Sequence, residues 1–188
     1  MITIIGNGEN RKEINISRIN GIKIGCNAVY LYEKVDMLCA VDKFWRDKIV
    51  KETTIPLISR LHNTAMQTTL ELFNKGWSNT DCPYRGYCSG ITALDYVAHT
   101  TNDSELYLIG FDFDYQGNTV NHMYKDKPFH PKSNRPAQNE CIFLRQFLET
   151  AKRYPLKTFY WVSDSEVPIG LKNIKTLPIE DYILCAYN

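Results

Sequence analysis

The sequence has no apolar run long enough to cross a bilayer, no C-x-x-C pair and no complete G-x-G-x-x-G. It also lacks an excess of either charge: 22 Lys+Arg stand against 21 Asp+Glu, a net of +1. The first absence excludes a membrane-spanning helix. The second leaves six cysteines (Cys26, Cys39, Cys82, Cys88, Cys141 and Cys185) without a disulfide framework, as in a reducing compartment. Cys39 and Cys185 lie in apolar strand-like runs and read as small hydrophobes. The near-zero charge argues against duplex DNA or an anionic membrane as a partner, while leaving room for a local phosphate pocket. No charged leader followed by an apolar stretch and a cleavage site opens the sequence, so the expected location is cytoplasmic. Repeats, low-complexity tracts and Gly/Ser linkers are missing too, and residues 1–188 read as one domain. A composition of 44% hydrophobic and 23% charged residues is enough to bury a core.

What is present begins at once. Ile2–Ile5 is a short β-branched run that reads as a buried strand, and it breaks into Gly6-Asn7-Gly8. Glycines there let the chain turn sharply and let a ligand approach the backbone. Further strand-like runs follow at Ile22–Gly25, Met37–Val41, Ile55–Ile58, Leu106–Ile109, Thr158–Val162 and Ile183–Ala186. Helical spacing marks Thr64–Phe73, Ser89–Thr100 and Asn139–Tyr154. Strands alternating with helices imply βαβ units and a mainly parallel sheet covered on both faces. The exception is a polar, aromatic, turn-rich segment at 113–138, a length that in a compact domain points to a functional loop.

In a parallel sheet, ligands bind outside the carboxyl ends of the strands. The residues just past each run form a rim of small, amide and carboxylate side chains. They are Gly6, Asn7 and Gly8, then Asn27, then Asp42, then Ser89 and Gly90 before a helix, then Gly110 and Asp112. Asn7 and Asn27 can bond phosphate, ribose or a base edge, or simply their own turns. Ser89 suits a helix N-cap, and the same geometry suits an anion. Asp112 and Asp114 could chelate a divalent metal with Asp42, but alternate residues of an extended segment point opposite ways, and no metal site is assigned. Of the four histidines, His122 and His130 lie in the loop, where either an exposed residue or a general base is expected. His130 is preferred as the base because it leads directly into the last long helix.

Strand-GNG at Gly6-Asn7-Gly8, Gly25-Cys26-Asn27-Ala28-Val29-Tyr30, Ser89-Gly90 before an apolar helix, and Leu108–Phe113 together resemble bacterial sialyltransferases of the Campylobacter type. They are also similar to short bacterial and phage proteins of that fold. The resemblance implies an α/β, Rossmann-like three-layer domain with a mainly parallel sheet, a GT-A-like variant. It implies metal-independent, inverting transfer of a sialic-acid-like sugar from a CMP-sugar or related nucleotide sugar to an acceptor hydroxyl, with no cofactor beyond the donor. Gly6, Asn7, Gly8 and Asn27 would then hold the nucleotide, with Asp42 standing where that family usually has asparagine. Ser89 and Gly90 would meet the phosphate or the sugar carboxylate, and Gly110 and Asp112 would complete the nucleotide side. His130 would be the base, with Tyr115 and Tyr124 assisting the departing phosphate. The acceptor would be a glycan or a nucleotide, and a homo-oligomer is compatible with the sequence. Two other readings stay open: a phage-type transferase modifying a nucleotide or DNA base, and a nucleotide-binding protein without catalysis.

Overall fold

A computed structural model of the chain describes residues 1–59, 88–112, 123, 124, 127, 140–165 and 170–188. The strands are β1 (Ile2–Ile5), β2 (Ile22–Cys26), β3 (Met37–Cys39), β4 (Leu57–Ile58), β5 (Glu105–Ile109), β6 (Thr158–Val162) and β7 (Ile174–Leu177). The α-helices among the described residues are α1 (Lys43–Glu52), α2 (Ser89–Thr100), α3 (Glu140–Arg153) and α4 (Ile179–Ala186). All strand pairs are parallel, in the order β4-β3-β2-β1-β5-β6-β7. The fold is α/β and Rossmann-like.

β1 is central because all four of its residues are buried, one face on each layer. Ile2 pairs with Ile22 on one side and Leu106 on the other. Ile2 and Ile4, with Leu106 and Leu108 of β5, pack into the cluster that holds Leu94 of α2 and Phe147 of α3. Ile5, Ile109 and Val162 face the opposite layer, with Trp45 and Ile49 of α1 and Ile179 and Tyr182 of α4. Each fully buried isoleucine contributes roughly 1.5–3 kcal/mol by removal from water. On that second face Thr3 and Tyr182 share a buried hydroxyl hydrogen bond of 2.9 Å, which satisfies the polar group that the strand carries inward.

The chain runs outward through β2, β3 and β4, then returns to place β5 on the other flank of β1. The order therefore reverses between β1 and β5, and a crevice at their carboxyl ends is where such sheets take ligands. α2 lies under this point. Ser89 to Ala98 are buried without a break, so the helix is enclosed on all sides and not only on the apolar face of Ile91, Leu94, Val97 and Ala98. Its one buried carboxylate, Asp95, is bonded by Arg153 at 2.7 Å, which ties α2 to α3.

Several expectations need correcting. Ile183–Ala186 is not a strand but the last turn of α4. Pro178 precedes the helix, Glu180 and Asp181 favour its first turn, and Ile179, Tyr182 and Ala186 form its buried face. Cys185 is accordingly exposed. The seventh strand is Ile174–Leu177, whose exposed Lys175 and Thr176 hid it. Helix α1 was also hidden, because its polar sequence buries only Trp45, Arg46 and Ile49. β3 stops at Cys39 and β4 is confined to Leu57–Ile58. The helix expected at Thr64–Phe73 lies outside the described residues.

Candidate functional site

The turn after β1 is built by two chain segments in contact. Gly6 N–H donates to the Ile109 carbonyl at 2.8 Å, and Gly8 N–H donates to the Gly110 carbonyl at 2.8 Å. The ladder between β1 and β5 thus continues past both strands. A Cβ on Gly6 would lie 2.3 Å from the Gly110 carbonyl oxygen, and one on Gly8 would lie 2.7 Å from the same atom. Gly110 itself has φ +72°, a left-handed conformation that glycine adopts without strain. Here the close approach that these glycines permit is between two turns of the chain.

Asp112 secures that junction. Its carboxylate accepts from Glu9 N–H at 2.6 Å and Asn10 N–H at 3.2 Å, at the start of the 3-10 turn Glu9–Arg11. It satisfies two donors that a short helical turn leaves open. Asn10 reaches on to the Val162 carbonyl at 3.3 Å, joining the carboxyl end of β6 to the same turn.

Asn7, Asn27 and Ser89 form a second, connected group one strand further along. Asn7 Nδ2 donates to the Cys26 carbonyl at 3.3 Å. Its Oδ1 is buried and has no hydrogen-bond partner among the described residues. Asn27 sits at φ +52°, a conformation that asparagine tolerates better than most side chains. Ser89 Oγ donates to Asn27 Oδ1 at 2.9 Å and accepts from Val41 N–H at 3.1 Å. That link orients the Asn27 amide and leaves its NH₂ turned away from Ser89. Ser89 was expected as the N-cap of α2. The cap position is Cys88, and Ser89 bonds across the sheet edge instead of capping. Gly90 has a packing reason: a Cβ there would lie 2.4 Å from the Phe111 ring. Burial, with the Cys88 thiol nearby, pushes the Cys26 thiol well above its usual range, so it stays a neutral wall of this edge.

Asp42 is exposed just past β3, at the N-terminus of α1, and its side chain makes no capping bond. It stands on the same carboxyl edge as Asn27 and Ser89. Tyr124 is buried and its hydroxyl accepts from Arg11 at 2.8 Å. Burial pushes its pKa up and the Arg11 guanidinium opposes this. His130 and Tyr115 lie outside the described residues, as do His122, Asp114 and most of the segment 113–138.

The structure thus brings Gly6, Gly8, Gly110 and Asp112 into one junction and Asn7, Asn27 and Ser89 into one hydrogen-bonded edge beside it. Sequence reasoning missed Arg11 and Asn10. Both lie in Glu9-Asn10-Arg11-Lys12-Glu13, a polar stretch indistinguishable by composition from a solvated face. The edge offers amide and hydroxyl groups, an exposed carboxylate and a helix N-terminus. These are groups suited to a polar, anionic ligand.

No protein-family model matches the chain, and no curated protein matches it either. Among solved structures, it is similar to the sialyltransferase CST-II, determined in complex with a trisaccharide acceptor and CMP. The match covers 96% of this chain and 87% of that one, with a TM-score of 0.53 and 17% sequence identity. At that identity the likeness is one of fold, and it extends across nearly the whole chain.

Proposed function

We propose that this protein is a glycosyltransferase that moves a sialic-acid-like sugar from a CMP-sugar, or a related nucleotide sugar, to an acceptor hydroxyl. The observation that carries the reading is the edge formed by Asn7, Asn27 and Ser89, next to the strand-order reversal. It lies in a chain whose fold matches a sialyltransferase solved with CMP.

In this reading Asn7 and Asn27 take the nucleoside. The buried Oδ1 of Asn7 accepts from the ligand, and the NH₂ of Asn27 donates to it. Asp42, acceptor-only when ionised, favours a base amino group or ribose hydroxyls. Gly6, Gly8, Gly110 and Asp112 hold the backbone that presents these side chains.

The transfer follows from the same groups. His130 takes the proton of the acceptor hydroxyl as its oxygen bonds to the anomeric carbon. The bond from that carbon to the phosphate oxygen breaks on the opposite face, and CMP departs with the electron pair. Tyr115 and Tyr124, together with the α2 N-terminus at Ser89 and Gly90, offset the charge gathering on the phosphate. The reading assigns that task to hydroxyls, amides and the helix end, without a metal.

A thermal-shift screen with CMP and with CMP-, UDP-, GDP- and ADP-sugars tests it, followed by product mass. A ligand at a hundredfold over its Kd should stabilise the protein by about 2.7 kcal/mol. Binding followed by a mass gain on an acceptor supports transfer. Binding with no product on any acceptor favours a nucleotide-binding protein, and no shift with any nucleotide removes the reading.

A further inference from the structure

Arg11 is charged, 1% exposed, and unused by the transfer chemistry. A buried guanidinium is retained only where its donors are matched. Here each nitrogen faces a different element. Nε donates to the Gly6 carbonyl at 2.8 Å, in the turn after β1. One terminal nitrogen donates to the Tyr124 hydroxyl at 2.8 Å, and the other lies 3.7 Å from the Glu33 carboxylate. The side chain's stem passes Gly110, where an added Cβ would lie 2.8 Å from Arg11 Cδ.

Tyr124 is held from three further directions. Its ring stacks on Tyr32, with centroids 5.0 Å apart and planes at 21°. The neighbouring Met123 N–H donates to the Asn7 carbonyl at 2.8 Å. Lys127 N–H bonds back to the Tyr124 carbonyl at 3.0 Å while its ammonium sits 5.5 Å from the Tyr32 ring centroid. Met123 and Tyr124 therefore dock on the very turn that carries Asn7.

We propose that Arg11 is a positioning residue that locks the hydroxyl of Tyr124 to the Gly6–Asn7 turn, so that the loop tyrosine and the nucleotide edge keep one fixed geometry. The proposal rests on the transferase reading for its effect on turnover, but the lock itself does not. Because the guanidinium donates to the phenol oxygen, the phenol proton is directed away from Arg11. Charge-assisted bonds of this kind are about twice as strong as neutral ones. Lysine cannot replace it: a single ammonium carries the charge but cannot span the Gly6 carbonyl, Tyr124 and Glu33 at once.

The test compares the full chain with Tyr124→Phe, Arg11→Lys and the double variant. Tyr124→Phe removes one hydroxyl and keeps the Tyr32 stack, so it decides the question even if Arg11→Lys does not fold. Two readouts are taken: amide exchange at Met123, and release of CMP from CMP-sialic acid. In Tyr124→Phe, Met123 exchange should quicken about tenfold while β1 amides hold, the effect of losing roughly 1.4 kcal/mol of local protection. In Arg11→Lys the kcat for CMP release should fall about tenfold with KM within about threefold, and the double variant should fall no further than Tyr124→Phe, which also loses the hydroxyl assigned to the departing phosphate. Wild-type Met123 exchange in Tyr124→Phe, or kcat losses that multiply in the double variant, would overturn the lock. If the wild-type protein neither binds CMP nor releases it, the transferase reading fails, and the exchange data still decide whether Arg11 fixes Tyr124.

Discussion

Ser89 Oγ donates to Asn27 Oδ1 at 2.9 Å, joining the first turn of α2 to the residue that follows β2. The same oxygen accepts from Val41 N–H at 3.1 Å, so one hydroxyl fixes the carboxyl ends of two strands and the Asn27 amide between them. Ser89→Ala should lower stability by about 1–3 kcal/mol in urea unfolding, since it strands a backbone donor as well as Asn27. CMP affinity should fall about tenfold by calorimetry, equivalent to roughly 1.4 kcal/mol of lost orientation.

The glycine junction predicts a contrast. Gly110→Ala places a Cβ 2.8 Å from both the Gly6 carbonyl oxygen and Arg11 Cδ, at φ +72°. It should cost roughly 2–5 kcal/mol, a left-handed penalty plus a clash with backbone. Gly170→Ala meets nothing within 4 Å and should stay within about 0.5 kcal/mol of the wild type. Denaturant midpoints of the two variants check this.

Alkaline pH should weaken the fold. Burial is the main cause holding Tyr182 well above the ordinary tyrosine value, and burial with the nearby Asp95 carboxylate raises Tyr154 to about 12. The native state thus keeps these protons longer than the unfolded chain does. Their contribution is whole below pH ~10 and is lost as pH climbs through the raised values. Tyr182→Phe should lower stability at neutral pH by about 1 kcal/mol, through loss of the Thr3 bond, and make the decline above pH ~10 shallower. Urea melts at stepped pH measure both effects.

Much of this fold was legible because the signals were local. The β-branched run Ile2–Ile5 read as a buried strand, and the spacing of Ile91, Leu94, Val97 and Ala98 read as one apolar face of a helix. Ile183–Ala186 misled because four residues carry too little periodicity to separate a strand from a helix turn; the deciding face, Ile179, Tyr182 and Ala186, begins earlier. The rim was legible as a set of positions past strand ends. Its wiring was not: that Asp112 caps Glu9 and that Arg11 reaches Tyr124 are contacts across about a hundred residues of sequence, with no local pattern to announce them.

His130→Ala should separate chemistry from binding. If His130 takes the acceptor proton, CMP-sugar turnover should fall by about 10²–10⁴-fold while CMP affinity stays at the wild-type value. Initial rates at saturating donor, set beside CMP calorimetry, check the split. Equal loss of both would assign the residue to folding or binding.

The most direct measurement is calorimetric CMP binding to the wild type and to Asn27→Gly. Glycine keeps the φ of +52° without strain and removes only the amide that Ser89 orients. The predicted result is a folded variant that binds CMP at least about tenfold more weakly than the wild type, a difference of roughly 1.4 kcal/mol. A wild-type protein that binds no CMP, or an Asn27→Gly variant that binds it equally well, would contradict a nucleotide site on this edge.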